Sequence, residues 1–410
     1  MDGVRADVEH VAWPGLLRAD RGDGSFSLHN PGHGTSVDVE EESGELVELI
    51  LEGFAEPRTP ADFCQAFDHV PEGLLVLMVR SGFVVEVAEL AFLEHGFLRP
   101  PTMPIGAAWS WSDLPELAQP GAWVVLGVPV DTHALGMGGA RHGPGEIRKL
   151  VSGALLFGEG DVVDWEFLRR YPALRPPVAD LGDVDPEGSR MDHVGSRLQK
   201  VVRELFAHGM RPLLLGGDHS ITHYVLHEAI ANVQSFGIIH FDAHPDMLPS
   251  RSLSHANVFR EAVDSPRVVS ITQIGLRVVE RITPYASRVP CSKRTVVSAR
   301  EAARGRALAV LEALPRDLPY YLSFDIDCID AGLARETGTP ALGGLSFELA
   351  SELVDYIART FDIFGADFVE VSAATTANNV AAFVAASLLQ RCLMGESAFE
   401  ALASDVYVLP

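Results

Sequence analysis

Six side chains of the metal-ligand type fall in three short blocks of this chain. His219 lies in GGDHS at 216–220, Asp242, His244 and Asp246 lie in DAHPD at 242–246, and Asp325 and Asp327 lie in SFDIDCID at 323–330. Two imidazoles and four carboxylates suit a pair of hard or borderline divalent ions of the manganese type better than a zinc–thiolate site. Nickel and iron fit the same donors almost as well, because ligand type alone does not set selectivity. Cys328 sits inside the third block but alternates with Asp325 and Asp327, so on a strand end it reads as packing rather than ligation. His240, just before Phe241 and Asp242, reads as facing away from the ligands or orienting them. Asp218, between Gly217 and His219, reads as support for the histidine or its loop. His223 and His227, one helical turn apart with no ligand-type partner nearby, read as ordinary helix residues.

Each block follows a short apolar run, at Leu213–Leu215, Phe236–Phe241 and Tyr320–Phe324, that reads as a buried parallel strand. Open α/β sheets bind ligands beyond the carboxyl ends of their strands, so three such ends converge on one crevice. Trp123–Val128 is a further strand. Ser196–His208 reads as a helix with Leu198, Val201, Val202 and Leu205 at helical spacing, and Ser346 caps a helix running through Ala358. Alternation of this kind predicts a three-layer α/β/α domain with a mostly parallel sheet.

The first hundred residues have a different pattern. Ser25–His29 and Ser36–Val39 read as strands around a Pro-Gly turn, followed by helices over Ser43–Glu52, from Thr59-Pro60-Ala61-Asp62 onward, and over Pro71–Arg80. A short β-rich run, Phe83–Val87, closes the segment. This predicts a small α+β, winged-helix-like domain over 1–98, a Pro-rich linker over 99–110 (RPPTMPIGAAW starts it) and the larger domain over 111–410.

Composition bounds the function. The chain has 410 residues, 47% hydrophobic and 21% charged, enough to bury a sizeable core. Its four cysteines, Cys64, Cys291, Cys328 and Cys392, are scattered, which argues against a disulfide framework. The N-terminus is acidic without an apolar core and no run reaches membrane-spanning length, so a cytoplasmic protein with no membrane partner is expected. Net charge is −24, from 32 basic and 56 acidic residues. That opposes nucleic-acid binding and favours a cationic partner. Residues 1–90 hold 5 Arg, no Lys and 18 acids, a net of −13, so a winged helix here lacks what DNA binding needs.

The three blocks, in this order, resemble the ureohydrolase family, which includes arginase and agmatinase. Supporting pieces follow in family order: GVPVDT at 127–132, GGARHGPGEIR at 138–148, DLGDVD at 180–185, GLR at 275–277, TGTP at 337–340, GGLSF at 343–347 and VEV at 369–371. The resemblance covers about residues 106–410. It implies hydrolysis of a guanidino group to urea with two Mn2+ ions. One ion would be held by His219, Asp242, Asp246 and Asp325, the other by His244, Asp242, Asp325 and Asp327. It further implies proton handling at Asp246 and His255, a guanidinium partner in Glu370, and a homo-oligomer, trimer or hexamer. Two cations sharing a water lower its pKa and fix its position, which a resonance-stabilised guanidinium requires at neutral pH.

Two departures bear on substrate. Arginases hold the backbone of free arginine with a Ser-x-Asn-x-His loop; the Ser and Asn positions fall here on Arg251 and Leu253, and after GLR only Glu280 remains of the acids expected to face the α-amino group. Free arginine is therefore disfavoured, since a charged backbone buried without polar partners is costly. Ala331 after Asp330, and Ser372-Ala373 after Glu370-Val371, change loop shape more than ligation. The N-terminal segment resembles the PqqD-like peptide-recognition domains of pathways for ribosomally made, modified peptides, in which a leader peptide joins the sheet edge. Together these readings predict conversion of arginine residues of a precursor peptide to ornithine, the leader being bound by the N-terminal domain. The other reading is hydrolysis of a small guanidino compound, such as agmatine or a guanidino acid, with an N-terminal domain used in assembly or control.

Overall fold

A computed structural model of the protein describes residues 10–402 other than 13–16, 21–24, 31–34, 56–57, 68, 81–82, 87–97, 102, 112–113, 115–117, 132–137, 152–160, 172–177, 186–190, 249–252, 280–291, 374–377 and 396. The chain divides into two compact units, Met1–Phe97 and Leu98–Pro410.

The larger unit is built on one ten-stranded sheet. Its strands run in the order Arg294–Ser298, Val268–Leu276, Phe236–Phe241, Tyr320–Asp325, Ile363–Val369, Arg211–Gly216, Trp123–Val128, Val178–Val184 and Leu98–Arg99, with Ala107–Ala108 also paired to Val178–Val184. All pairings are parallel except that of Leu98–Arg99. The central runs Trp123–Val128, Phe236–Phe241 and Tyr320–Asp325 are buried at every position, as expected of strands covered on both faces. Helices complete a three-layer α/β/α arrangement. Phe347–Thr360 shows why one forms where it does: the Ser346 hydroxyl accepts from the Leu349 amide at 3.3 Å, Glu348 is in the first turn and Arg359 in the last. Ala350, Leu353, Val354, Ile357 and Ala358 then form one buried stripe.

The helix expected over Ser196–His208 spans Met191–Ala207. Val194, fully packed, extends the apolar stripe one turn upstream of Leu198, so Ser196 lies inside the helix rather than at its cap. The Pro-rich stretch after residue 98 is bound to the sheet edge. Arg99 and Leu98 pair with Asp183 and Val184, Ala107 and Ala108 pair with Ala179 and Asp180, and the Ile105 amide donates to Asp180 at 3.0 Å. Gly182, at φ +85°, allows this approach: a Cβ there would lie 1.9 Å from the Arg99 carbonyl oxygen. Arg148, from the glycine-rich GGARHGPGEIR segment, is buried and binds Asp180 through two nitrogens at 2.8 and 2.9 Å, the Gly182 carbonyl at 2.9 Å, and Asp183. That motif thus anchors the helix Gly143–Val151 to the sheet.

The smaller unit is α+β. Leu17–Asp20, Phe26–Asn30 and Thr35–Val39 form an antiparallel sheet, and His10–Ala12 pairs with Val84–Glu86. Its helices are Glu41–Gly53, Pro60–Ala66 and Glu72–Arg80. Thr59 caps the second as its sequence indicates, accepting from the Asp62 amide at 3.0 Å. Phe54 stacks on Phe63 and Phe67 packs tilted against it, each pair with ring centres 4.8 Å apart, within a core that includes Phe26, Val47, Ile50, Leu75 and Met78. The Pro-Gly turn lies outside the described residues, and the strands Leu17–Asp20 and His10–Ala12 carry no sequence alternation that announced them.

Candidate active site

Three strand ends deliver the ligand-type residues. After Arg211–Gly216 the chain turns through Gly217, where a Cβ would lie 2.0 Å from the Val130 carbonyl oxygen, and places His219 just ahead of the helix Ile221–Asn232. Asp218 holds this turn by accepting from the Ser220 amide at 3.1 Å and from the Ser220 hydroxyl. Phe236–Phe241 runs into Asp242, His244 and Asp246, the last at φ +49°. Tyr320–Asp325 passes directly into a 3-10 turn, Ile326–Cys328. The expected strand alternation at Cys328 is therefore corrected. The Asp325 carboxylate accepts from the Asp327 amide at 2.8 Å, which tightens the chain into a turn. Cys328 is still buried in the core, and burial beside Asp327, Asp325 and Asp242 pushes its thiol pKa well up.

The structure brings all six residues together in two groups that meet at Asp242. His219 Nδ1 lies 2.8 Å from Asp246 Oδ2, 3.3 Å from Asp325 Oδ2 and 3.4 Å from Asp242 Oδ2. His244 Nδ1 lies 2.9 Å from Asp327 Oδ2 and 3.4 Å from Asp242 Oδ1. Asp242 thus presents one oxygen to each group. His219, Asp242, Asp325 and Asp327 are nearly inaccessible to solvent. Burial, then the charges of Asp327 and Asp242, push the Asp325 carboxyl well above its usual pKa, and burial with Asp242 brings Asp327 up to about 6. Burial opposes charge on the histidines as well, but the carboxylates outweigh it. His244 is pushed up to about 11 and His219 well above its ordinary value.

This donor set fits bound cations, and one hydrogen-bond chain shows why. Ser323 Oγ donates to Asp367 Oδ1 at 2.8 Å and lies 2.9 Å from His219 Nε2. Asp367 also accepts from the hydroxyls of Thr222 and Tyr321, each at 2.8 Å. A hydroxyl has one proton, and here it goes to the carboxylate, so Ser323 accepts from His219 Nε2–H. In the neutral ring Nδ1 then carries the lone pair. It faces three carboxylate oxygens and makes no hydrogen bond. A lone pair against three anions is repulsive unless a positive charge lies among them. Without metal a proton fills that role, which is the cause of the raised histidine pKa values.

His255 and Glu370 flank this cluster. His255 starts a 3-10 turn, His255–Asn257, closed by reciprocal bonds between Ser254 and Asn257. Glu370 follows the strand Ile363–Val369 at φ +64°. Left-handed backbone at a bulky residue is strained, and Asp246 and Glu370 are two of the three described non-glycine residues that adopt it. The sequence assigned His255 and Glu370 separate roles; the structure pairs them. Glu370 Oε1 accepts from the His219 amide at 2.8 Å and lies 3.0 Å from His255 Nδ1, while Oε2 is buried without a partner. Burial lowers the His255 pKa, but the bond and charge of Glu370, with Asp246 and Asp218 beyond, raise it on balance.

A cavity of about 200 Å³ opens onto the cluster. His244, Asp246, His255, Asp325 and Thr339 line it, with an apolar wall of Pro245, Leu248 and Ala256. Thr339, from the TGTP segment, donates to Asp327 Oδ2 at 2.9 Å. Leu253 is partly buried, whereas Arg251 and Glu280 lie outside the described residues. Ser323, Asp367 and Thr339 were not singled out by sequence. Ser323 had a visible signal, two residues before Asp325 on one strand and hence on the same face. Asp367 had none.

Comparison with known proteins places residues 122–395 in a match to the arginase family. Agmatinase from Edwardsiella ictaluri is 34% identical over 279 residues, covering 67% of this chain and 88% of the relative. Among solved structures, a hypothetical agmatinase from Burkholderia thailandensis superposes with a TM-score of 0.56 at 29% identity, covering 67% of this chain and 84% of that one. Proclavaminate amidino hydrolase from Streptomyces clavuligerus superposes with a TM-score of 0.60 at 25% identity, covering 72% and 96%.

Proposed function

The chain belongs to the arginase family, and on that premise we propose that it hydrolyses the guanidino group of a small compound of the agmatine type, releasing urea, with two Mn2+ ions. The observation that carries this reading is the lone-pair side of His219 set against Asp242, Asp246 and Asp325, beside a second group of His244, Asp242 and Asp327. Those residues would hold the ions, which when bound supply the activation of water that an unreactive guanidinium needs at neutral pH. The named agmatinases among its relatives support the substrate class. So does the apolar wall of Pro245, Leu248 and Ala256, which suits an alkyl chain better than a charged amino-acid backbone.

The protein's own side chains divide the remaining work. Glu370 has one oxygen engaged by His219 and His255 and one without a partner, so it can receive a guanidinium N–H. His255 lines the cavity and is held by Glu370, with its pKa raised, and can give a proton to the leaving amine. Asp246 lines the same cavity, so it can take the proton of the attacking water and pass it to the leaving nitrogen, and the proton lost as the urea carbonyl forms restores the one that His255 gives up.

A second reading is favoured by the small unit. Its strand Thr35–Val39 pairs on one side only among the described residues, and a cavity of about 240 Å³ beside it is lined by Val39, Val47, Leu74, Leu77, Met78 and Phe83, with Asp38 and Glu40 at the rim. An edge strand beside an apolar groove fits an extended peptide added as a further strand. The guanidino group would then be an arginine side chain of a leader-bearing precursor peptide, concentrated locally by that docking and converted to ornithine. Urea release from agmatine, free arginine and an arginine-containing peptide tests both. Turnover of agmatine with an inert peptide supports the first reading. Turnover of the peptide alone replaces it with the second, and turnover of free arginine in preference to both contradicts each.

A further inference from the structure

His240 lies among the ligand-type groups with His219, Asp242 and Asp246, close enough to be counted with them around an ion. Both of its ring nitrogens are nevertheless engaged. Nε2 is 2.9 Å from Asp242 Oδ2 and Nδ1 is 3.0 Å from Gln273 Nε2. Which of them carries the proton follows from groups farther out. Arg294 Nε donates to Gln273 Oε1 at 2.8 Å, and Gln273 Nε2 donates to the Pro245 carbonyl at 2.9 Å. A guanidinium has only donors and a carbonyl only acceptors, so the two contacts independently fix the same orientation of the Gln273 amide. The second proton of that amide then points at His240 Nδ1, which must accept it. The ring proton is therefore on Nε2 and is directed at Asp242.

We propose that Arg294, Gln273 and His240 form a one-way hydrogen-bond relay that fixes Asp242, so that His240 is not a metal ligand and all three are positioning residues for the metal site. Asp242 is the carboxylate on which both groups depend. Its Oδ2 faces His219, and its Oδ1 faces His244 and accepts from the His244 amide at 2.6 Å. A bond from a neutral ring to Oδ2 sets the rotation of the carboxylate without adding a cation that would compete with the ions. The same Gln273 amide pins the Pro245 carbonyl, and so holds the turn that leads into Asp246 at its left-handed φ. Phe259 packs 4.4 Å from the His240 ring and 5.6 Å from the His219 ring, which closes off other rotamers. His240, Gln273 and Asp242 are all fully buried. Orienting partners of this kind typically contribute about 10–100-fold in metal affinity.

The inference rests on the metal-site reading above, and the test separates the two. Mn2+ is titrated into the full-length protein, Gln273→Leu and Arg294→Met, with free Mn2+ followed by electron paramagnetic resonance. Histidine tautomers are read from long-range 1H–15N spectra of the metal-free protein. The expected result is two ions bound by the parent, affinity weakened about 10–100-fold in Gln273→Leu and in the same direction in Arg294→Met, and a His240 proton on Nε2 that no longer holds a single position in Gln273→Leu. Arg294 is only partly buried, so Arg294→Met decides the matter by the same affinities if Gln273→Leu does not fold. Both variants binding Mn2+ within about twofold of the parent, against the loss orienting partners usually cause, or a His240 proton on Nδ1, overturns the relay. A parent that binds no Mn2+ overturns the relay and the metal-site reading together.

Discussion

Ser323→Ala isolates the hydrogen-bond chain that aims His219. The substitution removes the acceptor of His219 Nε2–H and one of three hydroxyl donors to Asp367. Both groups are fully buried, so water cannot replace the lost oxygen. Each polar group left unpaired costs about 1–3 kcal/mol, so for the two groups a loss of about 2–6 kcal/mol in unfolding free energy is expected. The imidazole also loses its orientation, and Mn2+ affinity should fall by about 10–100-fold. Thr222→Val is the control, because the Thr222 hydroxyl donates to the other oxygen of Asp367, which keeps Tyr321, while the Thr222 amide that donates to the His219 carbonyl at 3.2 Å is retained in valine. It should cost about 1 kcal/mol and leave Mn2+ affinity unchanged. Urea denaturation of the metal-free protein and Mn2+ titration read the two effects separately. Equal Mn2+ affinities in the two variants would refute the argument that Ser323 acts through His219.

Three other perturbations follow from the same geometry. His219 and His244 hold protons in the metal-free protein at neutral pH, so Mn2+ binding must displace them, and affinity should rise with pH by about tenfold per unit for each proton lost. Calorimetry in two buffers of different ionisation heat measures that release, and a pH-independent affinity contradicts it. The sign for stability is the reverse: the raised His244 pKa supports the metal-free fold below the ordinary value of 6.5, and that support is lost as pH climbs toward about 11. Arg148→Met leaves Asp180 buried without its guanidinium and should cost about 3–5 kcal/mol by denaturant unfolding; parental stability would show that the ion pair does not anchor the helix. Glu370→Gln keeps an acceptor for the His219 amide but removes the charge offered to a guanidinium, so kcat should drop by at least about 100-fold with two Mn2+ still bound, and an unchanged kcat would remove Glu370 from the reaction.

The ligand-type residues were legible because each block is short, local and placed at the end of an apolar run. Sheet order and mutual distance add little information to Gly217-Asp218-His219 or to Asp242-Ala243-His244. The contacts that aim those residues were not legible, because they are long-range. His255 and Glu370 are 115 residues apart and meet only after five strands have paired in parallel. Asp367 and Ser323 lie on strands that are consecutive in the chain and adjacent in the sheet, but the register that sets the two residues opposite each other is not visible in either apolar run. Asp325 and Asp327 were read on a strand period, whereas a carboxylate–amide bond turns the chain there into a 3-10 helix. The edge strand Leu98–Arg99 hid behind prolines that suggested a linker, since Pro at a sheet edge removes no bond a central strand would need.

The most direct measurement is urea formation from agmatine by the metal-free protein, before and after two equivalents of Mn2+, with the amine product followed in parallel. The account predicts no urea before addition, urea and putrescine in equal amounts after it, and loss of both in Asp242→Asn. Urea formed equally in the presence of a chelator, or none formed from agmatine or any other guanidino compound by the Mn2+-loaded protein, would contradict it.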